Sequence, residues 1–419
     1  MNPSNSTPET FDTEIEKLVY GGSGLGRFRG KVVFVPYSVP GDRLLVRKVL
    51  EKKNYIRAEI LKTLNSGPGR VDPVCPHFGR CGGCHWQHLE YPRQVGAKLL
   101  ILKEIFHHSF PETHDIPIRM KACPQPMEYR SRARLQVRNS DARRFLGFFR
   151  AGSHDVEAVD RCPLLRSPLN RALQSLQSLK SDDGIDADVR EIDIAGAYEG
   201  DMWTATPVAS PNAPEDRRYG MGNDAVSKKI LLKRKVGEFL YSVAAPVFFQ
   251  ANDFMVTDLV QLVRELSDDT GLEAAVDLFA GVGLFSIPLA SKYKSVIAVE
   301  NSPAACRLCR ENAAASAVDS LRTVCSDVEQ WLESETSGRV TGYDLILLDP
   351  PRSGAGAGVM GKIRSLAPKT ILYVSCDPQT LCRDLSFIPP EEYIIERIEG
   401  LDMFPQTYHF ETVVRLVRR

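Results

Sequence analysis

The chain has 419 residues, 43% hydrophobic and 25% charged, ordinary globular proportions with room for two or three domains at roughly 100–200 residues each. No stretch approaches the ~18 apolar residues of a membrane span, and the polar start MNPSNSTPETFDTE lacks the basic and apolar regions of a secretory signal; membrane, collagenous, disordered and small disulfide-stapled classes are excluded, and a cytoplasmic protein is expected. Net charge is zero only by cancellation: residues 1–250 carry 37 basic and 29 acidic side chains against 16 and 24 in residues 251–419, so a basic front suited to a polyanion joins an acidic rear.

Residues 1–64 read as short strands split by Gly and Pro (EKLVY, GGSGLGR, KVVFVPYSVPGDRLLVRKVL and IRAEILKTL), the pattern of a small OB-like β-barrel. Ser66–Val74 is a Gly/Pro linker. Cys75, Cys81 and Cys84 then form C-x5-C-G-G-C among turn-forming Pro and Gly, and Cys162, followed by Pro163, is the candidate fourth thiolate. Without a signal peptide, metal or catalysis is a better default than disulfides. Four thiolates suit zinc or a [4Fe–4S] cluster; three near cysteines and one remote lean toward iron–sulfur, and spacing alone leaves zinc open.

Tyr91–Ser109 predicts a helix burying Leu99, Leu100, Leu102, Ile105 and Phe106. Residues 125–247 read mostly as strands, with one helix near Pro168–Ser181 and a Pro/Gly/Asn-rich loop over Thr206–Asp224. Between Tyr129 and Arg150 seven arginines stand against one acid, Asp141, interleaved with Phe145, Phe148 and Phe149. Arg130, Arg132 and Arg134 share one face of a strand. With Phe148 they are candidates for gripping phosphates and stacking on bases of RNA. A second basic cluster comprises Lys228, Lys229, Lys233, Arg234 and Lys235.

From Asp253 onward, helices alternate with the apolar runs AAVDLF, SVIAVE, LRTVC, DLILLD, TILYVS, YIIERIE and TVVRLV, which predicts an α/β class with a doubly wound, Rossmann-like sheet. Domain limits are expected at 1–64, 65–247 and 248–419, with packing of the 91–109 helix on the catalytic domain as the alternative placement of that helix. In VDLFAGVGLFSIPLA, Gly281 and Gly283 form the turn where a nucleotide cofactor meets a helix N-terminus. Glu300 ends the next strand and can accept from both ribose hydroxyls, and Asp277 adds an acid. A dinucleotide fingerprint wants Gly or Ala where Ser286 stands. That and the acidic surroundings favour the cation S-adenosylmethionine, with a nicotinamide dinucleotide as the other fit. Asp327 reads either as a contact to the adenine amine or as a helix cap. Cys306 and Cys309, a CxxC within a helical run, read as buried helix residues.

Asp349-Pro350-Pro351 is followed by Arg352 rather than the aromatic expected for methylation of an exocyclic amine. Cys376 falls at the end of the fifth strand, beside the cofactor cleft, where a nucleophile belongs. A thiolate has a use there, because adding it to C6 of a pyrimidine gives C5 carbanion character. The C5 proton must then leave to a base, and FPQTYHFE offers His409 and Glu411; Glu411 is the choice.

These motifs together resemble the S-adenosylmethionine-dependent RNA uracil-C5 methyltransferases over nearly the whole chain. GGSGLGR and VFVPYSVPGD resemble the RNA-binding TRAM barrel, and YRSRARL and GFFRAGSHDV the RNA-facing central region. The resemblance implies that Cys75, Cys81, Cys84 and Cys162 hold a [4Fe–4S] cluster. It implies cofactor contacts for Gln250 in FFQAN and for Phe279, Glu300, Asp327 and Asp349, with Cys376 as nucleophile and Glu411 as base. Leu284 and Asp327 stand where some members have Asn, so Leu284 is carried only as a backbone contact. A monomer acting on RNA, ribosomal before transfer RNA, is the expectation; transfer RNA modification and a non-catalytic RNA-binding role are the alternatives.

Overall fold

A computed structural model describes residues 9–139, 144–178, 189–208, 220–222, 225–227, 231–267, 272–338 and 342–419. Most of the expected 206–224 loop lies outside these residues, as do Asp141, Arg143, Lys228 and Lys229.

β1 (Thr10–Leu18), β2 (Gly24–Phe28), β3 (Lys31–Val35), β4 (Arg43–Glu51) and β5 (Tyr55–Asn65) close into a barrel in the order β1-β2-β3-β5-β4. The strand period is visible in β1, where Phe11, Thr13 and Ile15 turn inward and Thr10, Asp12 and Glu14 outward. The expected OB-type barrel is therefore present, filled by Phe11, Ile15, Val33, Val35, Leu44 and Val46.

The cysteine loop leads into α1 (Tyr91–Ser109), whose limits match the expectation, and β6 (Ile118–Lys121). The buried face of α1 differs from the one expected. Gln94, Lys98, Ile101, Leu102 and Phe106 are buried, while Leu100 is 60% exposed. Lys98 is fully enclosed because its ammonium meets the Asp402 carboxylate at 2.6 Å, compensation without which a buried charge is not tolerated. β6 pairs in parallel with a C-terminal strand, so α1 and β6 belong physically to the C-terminal sheet and not to the central region.

The central region comprises β7 (Arg132–Asn139), β8 (Arg144–Phe149), β9 (Val156–Ala158), α2 (Ser167–Ser178), β10 (Glu191–Gly196), β11 (Trp203–Pro207), β12 (Gly220–Gly222) and β13 (Ala225–Ser227). Its strands form one antiparallel sheet, ordered β13-β12-β11-β10-β7-β8-β9. α2 covers it, packing Leu169, Leu173 and Leu176 against Leu135, Leu146 and Ile192. The hairpin of β14 (Leu232–Val236) and β15 (Phe239–Val243) instead packs Leu232, Val236, Tyr241 and Val243 into the C-terminal core. The boundary expected at 247 thus falls before this hairpin.

The C-terminal part holds α3 (Val256–Leu266), β16 (Ala274–Leu278), α4 (Ser286–Ala290), β17 (Ser295–Glu300), α5 (Pro303–Ala315), β18 (Leu321–Cys325), α6 (Val328–Ser337), β19 (Leu345–Leu348), α7 (Gly356–Leu366), β20 (Thr370–Ser375), α8 (Pro378–Leu385), β21 (Tyr393–Leu401) and β22 (Glu411–Arg418). The sheet order is β18-β17-β16-β19-β20-β22-β21-β6, parallel from β18 to β20. Helices on both faces explain why β19 and β20 are buried at every residue. Cys306 and Cys309 are fully buried in α5, as expected.

Candidate active site

The loop after β16 is a built turn. Phe279, Gly281 and Gly283 all have positive φ (62°, 55° and 88°). At Gly283 a Cβ would lie 3.0 Å from the Cys309 sulfur, so the bend permits glycine alone; at Gly281 a Cβ would meet nothing within 4 Å, leaving open space over the turn. Glu300, at the tip of β17, accepts from the Gly281 amide at 2.9 Å and the Ser302 amide at 2.8 Å, which fixes its carboxylate against that space. Leu284 is buried and offers its carbonyl to the Tyr241 hydroxyl at 3.0 Å. Asp277 is fully buried behind the loop, where Ser286 Oγ donates to it; Ser286 at the third fingerprint position thus anchors the helix to the strand. Burial pushes the Asp277 carboxyl up to about 7. Asp327 caps α6, its Oδ1 accepting from Glu329 and Gln330 at 2.9 and 3.1 Å. Gln250 is buried in the segment before α3.

The second constellation sits further along the same sheet, past β19. Ser375 of β20 lies opposite Thr412 of β22, which sets Cys376 beside Glu411. β20 cannot continue past Cys376, because Asp377 caps α8 by accepting from the Gln379 and Thr380 amides and Pro378 opens that helix. The nucleophile candidate is therefore held at a strand-to-helix corner. Asp349 stands one residue past β19. Burial, and after it the charge of Asp277, pushes the Asp349 carboxyl up to about 7. Glu411 goes well above its ordinary range through burial and then the charge of Asp349. Its Oε2 is buried without a partner, as suits a carboxyl kept free to take a proton. Burial first, then Glu411 and Asp349, push the Cys376 thiol up to about 12, and Arg352 pulls the other way. His409, the other candidate base, is pushed by burial down to about 3 and is a far weaker proton acceptor than Glu411.

Cys75, Cys81, Cys84 and Cys162 line one cavity under Phe148 and Arg130. The Gly83 amide donates to Cys81 sulfur at 3.4 Å and Gln87 Nε2 to Cys84 sulfur at 3.1 Å. Among the described residues, no three His, Cys, Asp or Glu side chains converge on a single ion position. Burial pushes the Cys81 and Cys84 thiols up to about 11 and 12.

Beside that cavity a groove of about 660 Å³ runs between the barrel, the cysteine loop and the central sheet, lined among others by Tyr37, His85, Arg130, Arg134 and Phe148. The arginine face is less free than its alternation implied. Arg134 is paired with Asp193, its cross-strand neighbour, at 2.9 Å. Arg132 points away from the groove, donating to the carbonyls of Ala245, Val247 and Phe249 at 3.0–3.2 Å. Its role as an RNA contact is thus replaced by a clamp on the segment that carries Gln250. Two residues escaped the sequence reading. Phe248, in that segment, is 65% exposed under the Arg132 guanidinium. Arg352 reaches the Tyr408 hydroxyl at 3.3 Å and Asp377 at 3.5 Å. An aromatic beside the cofactor motif was the available signal for Phe248; Arg352 had none beyond its place after the prolines.

A profile of the tRNA (Uracil-5-)-methyltransferase family matches residues 214–419. The 23S rRNA (uracil(1939)-C(5))-methyltransferase RlmD of Enterobacter sp. is 31% identical over 98% of this chain and 96% of its own. An uncharacterized RNA methyltransferase of Thermosynechococcus vestitus is 29% identical over 97% and 98%. The solved tRNA (uracil-54, C5)-methyltransferase of Pyrococcus abyssi, in complex with S-adenosyl-L-homocysteine, superposes with a TM-score of 0.74 at 25% identity over 97% of this chain and 99% of its own. With the 23S rRNA enzyme and the Pyrococcus abyssi structure matching across barrel, central sheet and catalytic sheet, and the family profile across the last of these, the chain belongs to the S-adenosylmethionine-dependent RNA uracil-C5 methyltransferases.

Proposed function

We propose that this enzyme methylates C5 of a uridine in ribosomal RNA through a covalent adduct between Cys376 and the base. The observation that carries the mechanism is the convergence of Cys376, Asp349 and an unpartnered, buried Glu411 at one sheet edge. S-adenosylmethionine, when bound, supplies an electrophilic methyl group and a positive charge. The residues present fit it: open space over Gly281, a fixed Glu300 and a mostly buried Asp349. Gln250, Phe279, Gly281, Gly283, Glu300, Asp327, Asp349 and the Leu284 backbone are its expected contacts. Cys376 adds as thiolate to C6, which makes C5 the nucleophile. Glu411 removes the C5 proton after methylation, and the thiolate leaves as the ring double bond re-forms. Burial favours the protonated form of free Glu411, and the base form gains as pH rises, so activity is expected to rise with pH.

The four cysteines are the ligands of a [4Fe–4S] cluster on this reading: three close in sequence and one remote line one cavity, a spacing that leans toward iron–sulfur over zinc. Cys75, Cys81, Cys84 and Cys162 would hold the cluster, with the Gly83 amide and Gln87 tuning its sulfurs. Arg130, Arg134 and Phe148 border the groove in which RNA would lie. Ribosomal RNA is favoured over transfer RNA because relatives acting on 23S rRNA match at 30–32% identity, against 25% for the transfer RNA enzyme. We take the protein to be a cytoplasmic monomer; no described helix is long and apolar enough to cross a membrane.

The test is incubation with methyl-labelled S-adenosylmethionine and separated, unmodified rRNA and tRNA, followed by nucleoside mass spectrometry. Label in 5-methyluridine of rRNA is expected. Label confined to tRNA would reverse the choice of RNA, and label at another base would remove the C5 mechanism.

A further inference from the structure

The loop between β21 and β22 is unusual in being buried along most of its length, since connections ordinarily run over the surface. Successive backbone carbonyls of this loop are taken up by groups from outside the sheet strands that it joins. Asn252 Nδ2 donates to Met403 O at 3.0 Å, Lys98 Nζ to Phe404 O at 3.1 Å and the Tyr129 hydroxyl to Pro405 O at 3.1 Å. The amides of His85 and Trp86 both donate to Gln406 O, at 2.9 and 3.0 Å. Gln94 completes the set: its Oε1 accepts from the Gln406 amide at 3.0 Å and its Nε2 donates to Gln406 Oε1 at 2.9 Å. Gln94, Lys98 and Tyr129 are all essentially inaccessible to solvent.

Gln406 has φ +68°, a left-handed backbone that a residue with a side chain keeps only where its surroundings over-determine it. Here both its backbone polar groups and its side-chain oxygen are engaged. Glu411 opens β22 five residues later, and no partner orients its buried Oε2. A carboxylate with no hydrogen bond at that oxygen is aimed by its backbone, and its backbone is aimed by this loop. The donors come from the cysteine loop (His85, Trp86), α1 (Gln94, Lys98), the approach to the central sheet (Tyr129) and the cofactor segment (Asn252).

We infer that Gln94, Lys98 and Tyr129 form a cradle for residues 402–406 that positions Glu411 for proton abstraction and makes its placement depend on the order of the cysteine loop and the central sheet. They are positioning residues; none is placed against substrate. The inference rests on Glu411 being the base.

The full-length Gln94→Ala and Tyr129→Phe variants test it, with the RNA pool that the wild-type protein methylates as probe. Two quantities are read: release of 5-methyluridine, and the fraction of enzyme held as a denaturant-stable, methyl-labelled RNA adduct. Methyl transfer precedes proton removal, so a misplaced base raises adduct relative to release, whereas general loosening lowers both together. Gln94→Ala is expected to slow release by about 10- to 100-fold with adduct accumulating, the scale of a displacement near 1 Å; Tyr129→Phe, which removes one oxygen, shifts the ratio the same way by less. A wild-type ratio in Tyr129→Phe and in folded Gln94→Ala overturns the cradle. If Gln94→Ala does not fold, Tyr129→Phe decides alone. Glu411→Gln run in parallel separates the two failures: no adduct there removes Glu411 as base, while adduct there with wild-type ratios in the cradle variants removes the cradle only.

Discussion

Burial pushes up the thiols of Cys81, Cys84 and Cys376 alike, yet what surrounds them differs. Cys81 and Cys84 are raised further by the charges of other cysteines. Their neighbours are potential ligands, and one cationic centre would relieve all of them at once. Cys376 is raised further by three carboxylates, Glu411, Asp349 and, least, Asp377, with Arg352 as the counterweight. Relief there must come from loss of negative charge or arrival of positive charge. With the proposed cluster in place the loop thiols stay deprotonated, whereas Cys376 is deprotonated only when the cleft is loaded.

The largest way to break this comparison is to remove the second thiol. Cys376→Ala should lower 5-methyluridine formation by at least about 10⁴-fold, the scale for loss of a covalent nucleophile, with S-adenosylmethionine affinity by calorimetry unchanged. A variant that turns over normally would show Cys376 to be a packed strand-end residue.

Glu411→Gln should slow turnover by about 10²–10⁴-fold, the usual weight of one proton transfer, while the methylated adduct builds up. The same variant reads out the electrostatics through stability. The folded-state carboxyl is raised, so the wild-type fold binds that proton more tightly than the unfolded chain does. Its contribution is complete below the ordinary carboxylate range and is lost as pH rises from there through the raised folded value. Glu411→Gln should therefore be stabilised relative to wild type above that range and gain nothing at pH 4. A constant difference in melting temperature across pH would refute the buried-acid picture.

Most of this site was legible in the residues. Two local signals pointed to the proposed catalytic edge and cofactor turn: polar residues at the ends of apolar strands, and glycines where backbone must approach a ligand. Cys376, Asp349, Gly281 and Glu300 all fall at such ends. Long-range pairing was not legible. The alternation of Arg130, Arg132 and Arg134 reads as one free basic face, but Asp193 sits opposite Arg134 and the carbonyls of 245–249 meet Arg132. Nor does periodicity distinguish a buried Lys98 from an exposed one, because its partner Asp402 lies 304 residues away. Nor did any local signal mark β6 as a strand of the C-terminal sheet, since its partner strand lies at residues 398–401.

Cys81→Ser sharpens the other side of the comparison. Replacing a thiolate ligand should weaken iron retention by at least about 10- to 100-fold, since loss of an outer-shell partner alone costs that much. Anaerobically purified protein should lose its brown absorbance and melt lower. Undiminished iron per chain would show that Cys81 is not a ligand.

The smallest effect is the most specific to the electrostatic argument. Arg352 is the cation opposing three carboxylates at Cys376, but it is about half exposed, so solvent discounts its pull. Arg352→Gln should move the midpoint of Cys376 alkylation upward. Below both midpoints the rate at fixed pH should then fall by roughly threefold to tenfold, tenfold being the most that one pH unit of displacement gives. Alkylation is read on the Cys376 peptide by mass spectrometry, because nine other cysteines share the chain. Arg352 also holds Asp377 and the Tyr408 hydroxyl, so a slower reaction alone could reflect a displaced corner. Arg352→Lys separates the two, since it keeps the charge and loses the planar fork. If charge is what matters, the Lys variant alkylates near the wild-type rate, and raising the salt shrinks the gap between Gln and wild type. If Lys is as slow as Gln and salt changes nothing, Arg352 acts by holding the corner, and Cys376 must be activated entirely by what enters the cleft.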